Sequence, residues 1–283
     1  MANTKVIILA GGQGMRMREE TEYRPKPMVE VGGKPLLWHI MKQYAYHGFQ
    51  DFVVCLGYKA EVIKSYFLNF DFLSSDFTIR LGGRESIVCH DVGAEHGWQV
   101  TLAQTGQSCE TGSRIKQVQK YVSDCDLIML TYGDGLANVD IGRLVEFHKS
   151  HGKIATVTGV SPPSRFGELI TEGDVVAEFS EKPQVSQGCI NGGFFVLDQR
   201  VFNYLSNDPS CSFERDPLRM LSEERQLMIY QHAGYWQCVD TMRDLVQLNQ
   251  LHASGKMPWL SEFNETGKKA ASLTEMLSKG KVN

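Results

Sequence analysis

The run Lys5-Val-Ile-Ile-Leu-Ala, broken at once by Gly11, Gly12 and Gly14, constrains the fold more than any other stretch of the chain. A short continuous apolar run bounded by glycines reads as a strand buried on both faces. Such a strand needs a layer above it and a layer below, so it belongs inside a helix-covered sheet. Glycines directly after it let the backbone turn sharply and approach a ligand, and their N–H groups suit anionic oxygens. Arg16 in the loop and Lys26 between Pro25 and Pro27 add full positive charges. Those prolines restrict the local backbone, so the Lys26 ammonium is delivered along a preset direction. The pattern predicts a nucleotide-phosphate cradle. Its plainer alternatives are a tight turn without a ligand and an exposed lysine in a stiff loop.

The rest of the chain extends the β-α alternation. Gly32-Gly-Lys-Pro leads into a helix with Pro35 in its first turn and Leu36, Leu37, Ile40, Met41 and Tyr44 on one face. Phe52–Leu56 reads as a second buried strand, followed by a helix carrying Val62, Ile63, Tyr66 and Phe67 on one side. Residues 71 to 112 hold short alternating runs (Phe77–Arg80, Ile87–His90, Gln99–Leu102), expected as edge strands or a small β-rich insertion. A helix at Arg114–Tyr121, a strand at Leu127–Tyr132, a helix at Ile141–His151 and a strand at Ile154–Val160 restore the parallel order. Beyond Pro162 the pattern predicts hairpin-like strands at Glu168–Thr171, Val175–Phe179 and Ile190–Leu197 around a Ser180-Glu-Lys-Pro turn. Helical stretches near 199–205 and 213–224, a strand at Leu227–Gln231 and a last helix from Asp240, closed by Pro258, complete the reading. The expectation is one α/β unit over residues 1–260, Rossmann-like, with a mixed, mainly parallel central sheet, flanking helices and the β-rich insertion. Residues 261–283 form a more polar tail in which Ala270, Leu273, Met276 and Leu277 could make a short amphipathic helix.

The formal net charge of −4 argues against a general nucleic-acid binder, which needs a basic face. The seven cysteines are odd in number, scattered and free of Cys-x-x-Cys, which points to a reducing compartment rather than a disulfide framework or a zinc site. The chain enters a strand without a charged leader and apolar segment, and no apolar run approaches the roughly 18 residues of a membrane span. A cytoplasmic protein without a membrane partner is expected.

Several motifs carry chemistry. The glycine loop is no P-loop, because Gly-x-x-x-x-Gly-Lys-[Ser/Thr] is absent, and Met17 replaces the third glycine of a dinucleotide fingerprint. The second strand ends Leu56-Gly57, without the acid that would hold an adenosine ribose, so a nicotinamide-linked oxidoreductase is the weaker rival. Asp134 lies between glycines past an apolar strand end, where ligands collect in open α/β sheets. A carboxylate there suits Mg²⁺, which takes one or two protein oxygens plus substrate phosphates; the alternative is an Asp-Gly turn. Asp240 could be a metal ligand or the N-cap of the last helix. Lys182 and Asn191, beside glycines, could hold a phosphate and sugar hydroxyls or simply punctuate hairpins. Trp236 and Tyr235 could line a sugar site or pack, and His39, His47 and His148 read as structural. No Ser-His-Asp or Cys-His arrangement stands out.

Taken in order, Leu9-Ala-Gly-Gly-x-Gly-x-Arg, Arg24-Pro-Lys-Pro-Met, Tyr132-Gly-Asp-Gly, Ser180-Glu-Lys-Pro, Asn191-Gly-Gly-Phe and Trp236-x-x-x-Asp-Thr resemble the sugar-phosphate nucleotidyltransferase family, over about residues 4 to 260. Val29–Lys42, Thr131–Gly135 and Asn191–Leu197 are closest to its cytidylyl branch. The resemblance implies Mg²⁺ dependence and the reaction of CTP with glucose 1-phosphate to give CDP-glucose and pyrophosphate. It also implies a homo-oligomer and a role in making deoxysugars for surface polysaccharide such as O-antigen. By position, Arg16 and Lys26 would be the catalytic cations on the CTP phosphates. Leu9, Ala10, Gly11, Gly12, Gly14 and Met15, with Arg114 nearby, would hold the nucleotide. Asp134, beside the nucleotide, and Asp240 would bind the metal. Lys182 would meet the sugar phosphate, and Asn191 and Gly192 the sugar. An ionised phosphate oxygen is already a nucleophile, which accounts for the missing general base. Rival readings are a different nucleotide or phosphorylated substrate, and a non-catalytic sugar-nucleotide-binding regulator. One departure stands out: the family usually has threonine at position 15, and this chain has Met15.

Overall fold

The computed structural model describes residues 3–81, 87–90, 93, 95, 97–161, 168–172, 175–180 and 189–260. Its core is a mixed sheet. In chain order the main strands are β1 (Thr4–Ala10), β2 (Asp51–Leu56), β3 (Gln99–Gln104), β4 (Leu127–Tyr132), the short β5 (Gly135–Ala137), β6 (Ala155–Val160), β7 (Ile190–Asn191), β8 (Phe195–Leu197), β9 (Leu227–His232) and the short β10 (Trp236–Cys238). β4, β1, β2 and β3 lie side by side and parallel. β8 joins β4 to β6 antiparallel to both, and β9 adds to the far side of β6 in parallel.

Both faces of the central strands are buried, which is why their sequences are continuously apolar. In β1, Val6 and Ile8 enter one core and Ile7 and Leu9 the other; in β2, Phe52, Val54 and Leu56 oppose Val53 and Cys55 in the same way. The first core is closed by helices α1 (Leu36–Tyr46), α2 (Ala60–Leu68), α4 (Ile141–His151) and α6 (Met242–Ala253), and the second by α3 (Thr111–Gln117) and α5 (Asp216–Glu223). Gly152, with φ of 65°, ends α4 in the left-handed conformation that glycine accepts without strain. His39 and His148 are buried among these elements, and burial first of all holds each imidazole down at about 4. His39 faces the Val31 carbonyl through Nε2 and receives the Trp259 indole N–H at Nδ1, a set of partners that suits a neutral ring.

Three details depart from the sequence expectation. Ile190–Leu197 is no peripheral hairpin strand but part of the central sheet, broken into β7 and β8 by Gly192, Gly193 and Phe194. Its pairing with β6 shifts by two residues across that break, from Gly159↔Asn191 to Thr156↔Val196. In keeping with the expectation for residues 71 to 112, Gln99–Gln104 is an edge strand, here parallel, and Phe77–Ile79 and Ile87–Cys89 make a separate, largely exposed hairpin. The helix expected at Arg114–Tyr121 starts earlier, at Thr111, and is interrupted at Val118 before a short turn at Gln119–Val122. Pro35 precedes α1 rather than opening it, and Glu30 pairs with it. The remaining short strands, Glu168–Glu172 and Val175–Ser180, pair as a hairpin. No helix among the described residues is long and apolar enough to cross a membrane.

Candidate active site

The C-terminal ends of β1 and β4, where the chain leaves the sheet, open into a cleft of about 370 Å³. Leu9, Ala10, Gly11, Gly12, Gly14, Met15, Arg16, Lys26, Arg114, Asp134 and Asp240 all line it. Every residue expected to meet the nucleotide or the metal is therefore on one wall or another of a single depression. Asn191 and Gly192 lie beside it on the β7–β8 break, and Lys182 falls outside the described residues.

The glycine loop is held from beneath by Arg114. This arginine is only 4% exposed, and its guanidinium donates to the carbonyls of Gly11, Leu56, Gly106 and Gln107 and to the Thr105 hydroxyl. All but one of these hydrogen bonds go to the protein main chain, so it shapes the loop rather than offering a free cation. A Cβ on Gly11 would lie 2.1 Å from Arg114 Nη1, which is why this position has no side chain. Gly14 has φ of 60° and starts the 3₁₀ turn Met15–Met17, aiming Met15 outward; Met15 is 67% exposed.

Two carboxylates and a lysine form the centre. β5 pairs antiparallel with β10 in the register Gly135↔Cys238, and the Val239 N–H donates to the Asp134 carbonyl at 2.9 Å. That short ladder brings together Asp134 and Asp240, which are distant in sequence. Lys26 Nζ bridges them at 2.7 Å to Asp134 Oδ2 and 2.7 Å to Asp240 Oδ1. Arg16 Nη1 reaches Asp240 Oδ2 at 3.2 Å from a side chain that is 77% exposed. Burial alone would lower the Lys26 pKa, but the charge of Asp134 and the hydrogen bonds to both carboxylates outweigh it and raise the value, so the ammonium is held charged.

The N-cap alternative for Asp240 fails. Thr241 is the cap of α6, in a capping box with Asp244, and Asp240 stands one residue before it. Its carboxylate is left to face the cleft. Cys238, given no role by the sequence, places its sulfur with the two carboxylates, the three ligand atoms lying within 4.8 Å of one another. Burial, then the charge of Asp134, push the thiol pKa far up and keep it neutral. Two hard oxygen donors beside a phosphate-sized cleft are a donor set that fits Mg²⁺.

A second cluster joins residues the sequence named separately, Tyr132, Asn191 and Trp236, to Glu214, which it did not name. Tyr132, at the end of β4, lines the cleft; its hydroxyl donates to Glu214 Oε1 at 2.8 Å and receives the Asn191 side-chain N–H at 3.0 Å. Trp236 packs against the break and donates its indole N–H to the Gly192 carbonyl at 2.8 Å. No spacing rule connects residues 132, 191 and 214; only the fold does.

Two glucose-1-phosphate cytidylyltransferases, from Salmonella typhi and Salmonella typhimurium, are each 48% identical to this chain over 90% of its length and 98% of theirs. The crystal structure of HddC from Yersinia pseudotuberculosis complexed with GMP-PN superposes with a TM-score of 0.61 at 24% identity, covering 88% of this chain and 99% of that one. That level of identity speaks to the shared fold. A model of the nucleotidyl transferase family matches residues 5–255, and the chain belongs to that family.

Proposed function

We propose that the cleft transfers the cytidylyl group of CTP to glucose 1-phosphate, giving CDP-glucose and pyrophosphate. The observation that carries this reading is the Lys26 ammonium bridging Asp134 and Asp240 at the mouth of the glycine loop. The 48% identity to glucose-1-phosphate cytidylyltransferases supplies the choice of base and sugar.

The loop N–H groups from Gly11 to Gly14 receive the triphosphate, and Arg16 and Lys26 neutralise it. Asp134 and Asp240 would hold Mg²⁺, which when bound adds positive charge against the phosphates and orients them. Lys26, released from one carboxylate, turns its ammonium to the α- and β-phosphates. A glucose 1-phosphate oxygen forms a bond to the α-phosphorus while the bond from that phosphorus to the bridging oxygen breaks and pyrophosphate leaves. The nucleophile is ionised at neutral pH, so no base is required. The barrier is the meeting of two polyanions in line, and positioning with charge neutralisation lowers it. Lys182 meets the sugar phosphate and Asn191 and Gly192 the sugar.

Pyrophosphate release measured with CTP, UTP, dTTP, ATP and GTP against glucose 1-phosphate and other sugar 1-phosphates tests the proposal. Release fastest with CTP and glucose 1-phosphate is expected. A different preferred pair would move the base or sugar assignment, and no release with any pair would leave a sugar-nucleotide-binding regulator.

A further inference from the structure

The hydrogen bonds on the sugar side of the cleft run in one direction and end on a charge. Asn191 donates from Nδ2 to the Tyr132 hydroxyl at 3.0 Å, and that hydroxyl donates to Glu214 at 2.8 Å. The amide oxygen of Asn191 accepts the Gly193 N–H at 2.9 Å, so both ends of the amide are engaged. Only one orientation of the amide satisfies both partners. Glu214 spends its second oxygen on the hydroxyls of Thr111 and Ser212. Thr111 is itself on the wall of the cleft and accepts the Phe213 N–H at 2.9 Å. One carboxylate therefore ties together the end of β4, the start of α3 and, through Tyr132, the break between β7 and β8.

We infer that Glu214 and Tyr132 are positioning residues for the sugar phosphate: they fix the Asn191 amide so that its remaining N–H faces the sugar hydroxyls. This rests on the reading of the cleft as a glucose 1-phosphate site. The chain of donors has a physical consequence. A hydroxyl that donates to a carboxylate becomes a better acceptor, so the Glu214 charge strengthens the hold of Tyr132 on Asn191.

The split between two Michaelis constants distinguishes positioning from general support. Tyr132→Phe keeps the ring against Phe195 and removes only the relay. Each net hydrogen bond is worth roughly a five-fold effect. Tyr132→Phe is expected to raise the KM for glucose 1-phosphate about five-fold, with the KM for CTP and the melting temperature unchanged. Glu214→Gln, which keeps one acceptor for Tyr132, should do less than Tyr132→Phe, and Glu214→Ala at least as much. Asn191→Ala should raise the same KM, and adding Tyr132→Phe to it should cost nothing further, because the relay then has nothing to orient. Equal rises in both KM values, or additive effects in the double variant, overturn the inference. Wild-type protein that releases no pyrophosphate from CTP and glucose 1-phosphate overturns instead the functional reading beneath it, which separates the two failures.

Discussion

The two sides of the cleft, proposed above to take the nucleotide and the sugar phosphate, are built by different means. The nucleotide side is nearly contiguous in sequence: Leu9 to Arg16 and Lys26 to Pro27 leave one strand end, and the buried guanidinium of Arg114 clamps the turn through main-chain carbonyls. The sugar side is assembled from the end of β4, the β7–β8 break and the Glu214 loop, held by side-chain hydrogen bonds and by the Trp236 indole. One side works through backbone geometry, the other through side chains placed by tertiary structure. Backbone-built sites should fail when a Cβ is added, and side-chain-built sites when a single polar atom is removed.

Substitutions on the nucleotide side should therefore have the largest effects. Asp134→Ala takes away one of the two carboxylates that Lys26 bridges, and turnover should fall about 10²–10³-fold, the scale of losing one preorganised charge. Circular dichroism should show an intact fold, and turnover within a few-fold of wild type would detach Asp134 from the chemistry.

Gly11 and Gly12 sharpen the same point. A Cβ on Gly11 would lie 2.1 Å from the Arg114 guanidinium, whereas one on Gly12 would meet nothing within 4 Å. Gly11→Ala should cost about 1–3 kcal/mol of stability through overpacking and lower the melting temperature accordingly. Gly12→Ala should melt like wild type and show its effect only as a raised KM for CTP. If Gly12→Ala neither destabilises nor weakens CTP, the backbone at that position does not approach the nucleotide.

Met15→Thr has the smallest expected effect and the opposite sign. Met15 stands exposed on the cleft wall, at the position where the sequence resemblance implies a threonine hydroxyl. Restoring one net hydrogen bond should improve kcat/KM for CTP roughly five-fold. No change would mean that this hydroxyl is dispensable here.

The same division explains what the sequence made legible. The buried strands show as continuous apolar runs because both of their faces carry a core, as Val6–Leu9 and Phe52–Leu56 illustrate. The glycine loop and the proline-flanked Lys26 are visible because backbone constraints leave marks in local sequence. Asp134 and Asp240 stood out individually, but their meeting depends on the β5–β10 register, which no local pattern encodes. The Asp240 cap reading failed because the residue after it, Thr241, fits the capping box with Asp244. Glu214 left no sign at all. The sequence reads it as part of a helical stretch near 213–224, whereas α5 starts only at Asp216, and its partners Thr111 and Tyr132 lie far away in the chain. The sequence pattern reads Ile190–Leu197 as one strand beside the Ser180-Glu-Lys-Pro turn, whereas the chain breaks at Gly192–Phe194 and the sheet absorbs the break as a two-residue offset.

The central claim is that Lys26, which joins Asp134 and Asp240 in the structure, is the cation that neutralises the CTP phosphates during transfer. The most direct measurement is pyrophosphate release from CTP and glucose 1-phosphate by Lys26→Ala beside wild type, at saturating Mg²⁺ and with thermal melts of both proteins. A fall in kcat of about 10²–10³-fold with little change in melting temperature is predicted. A variant that releases pyrophosphate at nearly the wild-type rate would contradict the account.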